Sequence, residues 1–138
     1  MNTGLIGCTK QKLDYPCPAH QLYSPSSLFR KARAYCEWHY DAWYVLSAKH
    51  HLVHPDTVIA PYDLTLRDMS TAERRVWGRR VSTQLLALGD HIFYGHAGRL
   101  YLENLAGIRL VNVLEGYKIG ERKSWYNQQA AMEGWACP

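Results

Sequence analysis

Ionisable and nucleophilic side chains gather at four points of this 138-residue chain, each directly after a run of apolar residues. The densest group is Ser47-Ala48-Lys49-His50-His51, which follows Trp43-Tyr44-Val45-Leu46. A segment punctuated by Pro55 and Pro61 then leads on to Tyr62-Asp63. Imidazoles near a carboxylate are the groups that general acid–base chemistry uses, because histidine changes charge near neutral pH. Asp63 stands among Ile59, Ala60, Leu64 and Leu66, and an acid in apolar company needs a reason to be there. It is the first catalytic candidate, and the alternative is an Asp that caps a turn. His50 is a candidate hydrogen-bond donor or general acid.

A second group, Gly7-Cys8-Thr9-Lys10-Gln11-Lys12, offers Lys10 and Lys12 to a phosphate alongside backbone N–H groups; a solvated turn would look the same. Cys8 reads as either a nucleophile or a buried structural thiol. The third group is Tyr94-Gly95-His96-Ala97-Gly98, with Arg99 and Tyr101 beyond it. Small residues opening a helix leave room for a ligand in a field that favours anions. His96 is the third catalytic candidate there, and Gly95, Gly98 and Tyr101 are candidate binding residues. The fourth follows Glu115-Gly116: Lys118, Arg122 and Lys123 interleave with Trp125 and Tyr126. Together with Arg74, Arg75, Arg79 and Arg80 they would make a nucleic-acid track, or else ordinary solvated faces.

The elements between these groups set their geometry. Gly4 to Thr9 reads as a first strand. Ser26 or Ser27 caps a helix over about 28–40, whose apolar face is Leu28, Ala32, Tyr35, Cys36 and His39. Trp43–Leu46 is a second strand, followed by loop. Ser70-Thr71-Ala72-Glu73 has capping-box form and opens a helix to about Leu88, with Trp77, Val81, Leu85 and Leu88 as its stripe and Gly89 as its stop. His91–Tyr94 is a third strand, Arg99–Leu105 a short helix, Ile108–Leu114 a fourth strand and Glu121–Met132 a last helix. Strands separated by helices predict a three-layer α/β/α domain with a four-stranded, mainly parallel sheet, residues 1–138 forming a single domain. All four polar groups then lie along one sheet edge, where such folds bind ligands.

Composition narrows the classes. With 47% hydrophobic and 20% charged residues the chain can bury a core, which argues against disorder. No apolar run is long enough for a membrane span, and the N-terminus lacks the pattern of a secretory signal, so a cytoplasmic protein without a membrane partner is expected. Four cysteines include no CxxC pair, which removes zinc ribbons and thioredoxin-like motifs. His50, His51 and His54 form HHxxH, but on a loop and without helical spacing, so no metal is expected. There is no GxxxxGK[ST] or GxGxxG, and no cofactor is expected. A net charge of +4 with ten Tyr and five Trp is compatible with a nucleotide or nucleic-acid partner.

The motifs IGCTKQKL, LYSPSSLFRKARAY, WYVLSAKHHLVHPDTVIAPYDLTL, YGHAG and GYKIGERKSWYNQ together resemble a family of small bacterial and phage proteins. Its pattern runs S/G-C-x-K-K-K, L-Y-x-S-x-L-F-R-K, W-Y-I-L-S-A-K-H-G-L, A-P-Y-D. The resemblance spans Leu5 to about Gln128, and His51 stands where the family has glycine. That family is distantly similar to the uracil-DNA glycosylase-like superfamily, which implies a parallel four-stranded sheet with a base pocket at its carboxyl ends. The superfamily's G-Q-D-P-Y and H-P-S motifs do not occur in this chain. The resemblance implies an N-glycosylase acting on a modified base in DNA or a nucleotide. Asp63 would act at the sugar, His50 or His96 at the departing base, Lys10 or Lys49 on phosphate, and Tyr62 or Tyr94 in stacking on the base. Ser47, Thr9 and Lys12 complete the expected crevice. The rival reading is a non-catalytic module binding a nucleotide or nucleic acid in the same place; a partner-binding phage protein is a third.

Overall fold

The chain begins in the centre of its own sheet. A computed structural model describes residues 1–138. The first half of the chain forms β1 (Asn2–Gly7), β2 (Cys17–Pro18), α1 (Ala19–Leu22), α2 (Ser27–His39), β3 (Ala42–Ser47), β4 (His51–Val53) and β5 (Val58–Ile59). After a 3₁₀ turn at Leu66–Asp68 come α3 (Thr71–Leu86), β6 (Ile92–His96), α4 (Arg99–Leu102), β7 (Arg109–Asn112) and α5 (Ile119–Glu133). The main sheet has the order β4-β3-β1-β6-β7, and only β4 runs antiparallel to its neighbour. β2 and β5 pair separately.

The expected mainly parallel α/β architecture is present, with one correction: the sheet has five strands rather than four. The segment after Ser47 was expected to be loop, yet it turns back at once, so that Ser47 faces His51 and Val45 faces Val53. Three residues with two imidazoles nearby give too short an apolar signal for a strand to be read from the sequence. Likewise no strand reaches Tyr62-Asp63, since β5 ends at Ile59. Two short elements, β2 and α1, lie between the expected first strand and the helix capped at Ser26, where the sequence predicts neither strand nor helix.

Two apolar layers explain the sheet. Leu5 and Ile6 are adjacent in β1 and point to opposite faces, and both are buried, as a central parallel strand requires. Ile6 and Val45 meet Phe29, Ala32 and Cys36 of α2 and Tyr126 of α5. Leu5, Leu46 and Phe93 meet Trp77, Val81 and Leu85 of α3 and Leu102 of α4. Each such side chain contributes about 1.5–3 kcal/mol by leaving water. Helix starts are fixed locally: the Ser26 hydroxyl accepts from the Phe29 N–H, and Ser70 with Glu73 forms the expected capping box. Gly134, at φ 79°, ends α5.

The β3–β4 turn sets His51 at φ 64°, in the left-handed region where a side chain costs about 1–2 kcal/mol and glycine does not. Burial, then Arg80, then His50 all push the His51 imidazole below its usual pKa, so the ring gains little in return. His51→Gly is expected to raise stability by about 0.5–1 kcal/mol, read as an upward shift of the urea midpoint. An unchanged or lower midpoint would mean that the imidazole supplies packing worth more than the strain.

Candidate ligand-binding cleft

From β1 the chain moves outward on one side to β3 and β4, then crosses to β6 and β7 on the other. The gap between the carboxyl ends of β1 and β6 is therefore the switch point at which open α/β sheets bind ligands. A cleft of about 870 Å³ opens there. Its floor includes Ile6, Phe29, Ala32 and Leu114, and Lys10, Arg67, Arg99, Lys118, Arg122 and Lys123 ring it; no carboxylate lines it. Arg99 is ion-paired to Glu103 at 3.5 Å, and the Arg122 Nε–H donates to the Tyr117 carbonyl at 3.0 Å.

The backbone packs tightly just beneath. A Cβ on Gly7 would lie 3.0 Å from the Ala97 Cβ, and one on Gly95 only 2.6 Å from a Leu102 methyl. Gly95 is thus a packing residue that lets α4 sit on the sheet, not a ligand contact. Gly98 does line the cleft, with open space where a Cβ would be.

Half of the residues predicted from sequence meet in this cleft: Cys8, Thr9, Lys10, His96, Gly98, Tyr101, Lys118 and Arg122. The other half do not line it. Asp63 is exposed rather than set among apolar groups, and neither a hydrogen bond nor an ion pair holds it. Lys49 is exposed on the β3–β4 turn. Ser47 is fully buried; its hydroxyl donates to the Tyr62 hydroxyl at 2.7 Å and accepts from the His50 N–H at 2.9 Å. Tyr62 also bonds Tyr23 at 2.6 Å, and Lys12 lies 4.5 Å from the Tyr62 ring centre, so these groups form a strut beside the cleft. Burial lowers the Lys12 pKa, against the opposing pull of Cys8 and Asp63. His50 packs edge-on to Tyr62, with its Nε2 buried and unpartnered, and burial followed by Lys49 lowers its pKa. Tyr94 stacks on Tyr40 at 4.8 Å, away from the cleft. From the stretch 43–66 only Thr65 lines the cleft; the turn into β4 folds the rest of the expected wall aside.

His96 sits in the floor with both ring nitrogens engaged. Nε2 is 2.8 Å from the Tyr40 hydroxyl and Nδ1 is 2.7 Å from the Tyr126 hydroxyl. Burial, reinforced by His39, brings its pKa down to about 3. It is a neutral imidazole fixed between two phenols, which leaves no nitrogen free for a departing group. The Tyr101 hydroxyl is 3.3 Å from the Cys8 Sγ, and burial pushes the Tyr101 phenol pKa up. At the rim Tyr117 is 41% exposed, a ring face open to stacking.

Arg67 and Tyr117 belong to the cleft and were not singled out for it from the sequence, whereas Tyr126 was named there in the fourth polar group. Arg67 lies in a 3₁₀ turn that carries no motif, whereas the aromatic–basic alternation around Tyr117 and Tyr126 was a usable signal. No group of three His, Cys, Asp or Glu side chains is placed to hold a metal, and no helix is long and apolar enough to cross a membrane.

Residues 4–128 match a family of unknown function (DUF6884), and the chain belongs to that family. No curated protein and no solved structure matches the chain.

Proposed function

We propose that the chain binds a nucleotide unit, free or within nucleic acid, in the β1/β6 cleft. The observation that carries this reading is an apolar-floored cleft at the switch point, ringed by six cations and lined by no carboxylate. Lys10, Arg67, Lys118, Arg122 and Lys123 have no ion-pair partner, and such cations favour phosphate, with arginine suited to two-pronged contact. The apolar floor and the open face of Tyr117 suit a planar base. The test is titration of short oligonucleotides and mononucleotides at several salt concentrations. The reading predicts affinity that falls steeply with salt and competition between the two ligand types; salt-insensitive binding or none would sink it.

A narrower reading, N-glycosidic cleavage of a modified base, is favoured by one observation. The cleft lies at the carboxyl ends of parallel strands, where the base pocket lies in the uracil-DNA glycosylase-like superfamily that the motifs resemble. In this form the ring of cations stabilises negative charge on the departing base. Base release from modified DNA, followed by mass spectrometry, tests it. Because Asp63 is exposed and outside the cleft, Asp63→Asn is expected to change both ligand affinity and any base release by less than about twofold, a surface substitution's usual scale. Loss of release with binding intact would instead return Asp63 to the chemistry.

A further inference from the structure

The six cations fall on two sides of the sheet. Arg67 and Arg99 project from the 3₁₀ turn and α4, elements whose apolar residues Leu66 and Leu102 pack in the layer with α3. Lys118, Arg122 and Lys123 belong to the start of α5, whose Tyr126 packs in the opposite layer with α2. Lys10 lies on the loop after β1, at the sheet edge between them. The cleft therefore has two cationic walls, one from each layer, and its lining includes the apolar Phe29 and Leu114 but no acid.

Charge placed this way selects against a ligand that is anionic at one end only. A nucleoside 5′-monophosphate would satisfy one wall and leave either Arg67 or the Lys118, Arg122 and Lys123 group without an anionic partner, Arg99 being paired to Glu103. We infer that the ligand is a nucleoside flanked by phosphates on both sides, its apolar body over the floor and one phosphate on each wall. This rests on the nucleotide reading above and narrows its substrate class: the unit recognised has the chemistry of an internal nucleotide or a nucleoside bisphosphate, not of a nucleoside or a mononucleotide.

Calorimetric titration of four probes at one low salt concentration tests it: thymidine, thymidine 5′-monophosphate, thymidine 3′,5′-bisphosphate and the abasic deoxyribose 3,5-bisphosphate. Two wall variants, Arg67→Gln/Arg99→Gln and Arg122→Gln/Lys123→Gln, replace exposed or half-exposed cations, and circular dichroism checks their folding. The bisphosphate should bind at least about tenfold more tightly than the monophosphate, the scale of one charge-assisted contact. Each wall variant should cost the bisphosphate about tenfold, while only one of them should affect the monophosphate. Equal affinity for mono- and bisphosphate, or equal loss of monophosphate binding in both variants, would overturn the two-wall assignment and leave the nucleotide reading standing. An abasic bisphosphate bound as tightly as the thymidine one, with both walls contributing, would uphold the two walls and remove the base from the proposal.

Discussion

Lys10→Glu/Arg122→Glu is expected to weaken oligonucleotide binding by more than about 100-fold at low salt, since two charge-assisted contacts become two repulsions. Both residues line the cleft: Lys10 on the loop after β1, and Arg122 in the first turns of α5. Losing two phosphate contacts should also flatten the dependence of log affinity on log salt, by roughly 0.7 for each contact to a single strand. Arg75→Glu/Arg79→Glu provides the comparison. These side chains are exposed on α3 and do not line the cleft, yet the substitution removes the same net charge. If binding is local to the cleft, this second variant should lose less than about fivefold and keep its salt slope. Equal losses in the two variants would show that overall positive charge attracts the polyanion and that the cleft does not select it.

The central parallel sheet, both amphipathic helices and the helix caps were readable because each rests on a local signal. Apolar runs of strand length alternate with helical stripes, and Ser26, Ser70 and Glu73 stand where capping predicts. The edge along which polar groups gather was readable too, because strands joined by helices must all end on one side. The sequence was silent about which strand gap is the switch point, since that depends on strand order and so on pairings between distant residues. The densest polar cluster follows β3, yet β3 lies to the outer side of β1, and its ending is closed by a strand of only three residues. Asp63 misled for a related reason: apolar neighbours in sequence imply burial only where the segment is regular, and residues 60–65 form neither helix nor strand.

Acid is expected to destabilise the protein well before the carboxylates titrate, with His96 as a principal cause. Neutral imidazole carries one N–H and one lone pair, which matches one accepting and one donating phenol; Tyr40 and Tyr126 supply them at 2.8 and 2.7 Å. Protonation turns both nitrogens into donors, so one phenolic hydrogen loses its acceptor inside a cage of Tyr35, Trp125 and Tyr126 rings. The native pKa is about 3, against roughly 6.5 for an exposed histidine. Between those values the unfolded chain binds a proton that the folded chain refuses, so stability falls as pH falls through this window and is fully present above it. Between pH 7.5 and 5 the loss from this one group is about 2 kcal/mol, which urea midpoints at successive pH values would show. His50 and His51, also lowered, act in the same direction, so the assignment to His96 needs a site-specific reading. Its ring proton resonance should stay unshifted down to about pH 4.5, well below the roughly 6.5 of a free histidine. A His96 resonance that moves above pH 5.5 would mean the Tyr–His–Tyr cage opens to water, and the floor of the cleft would then be a flexible surface instead of a fixed one.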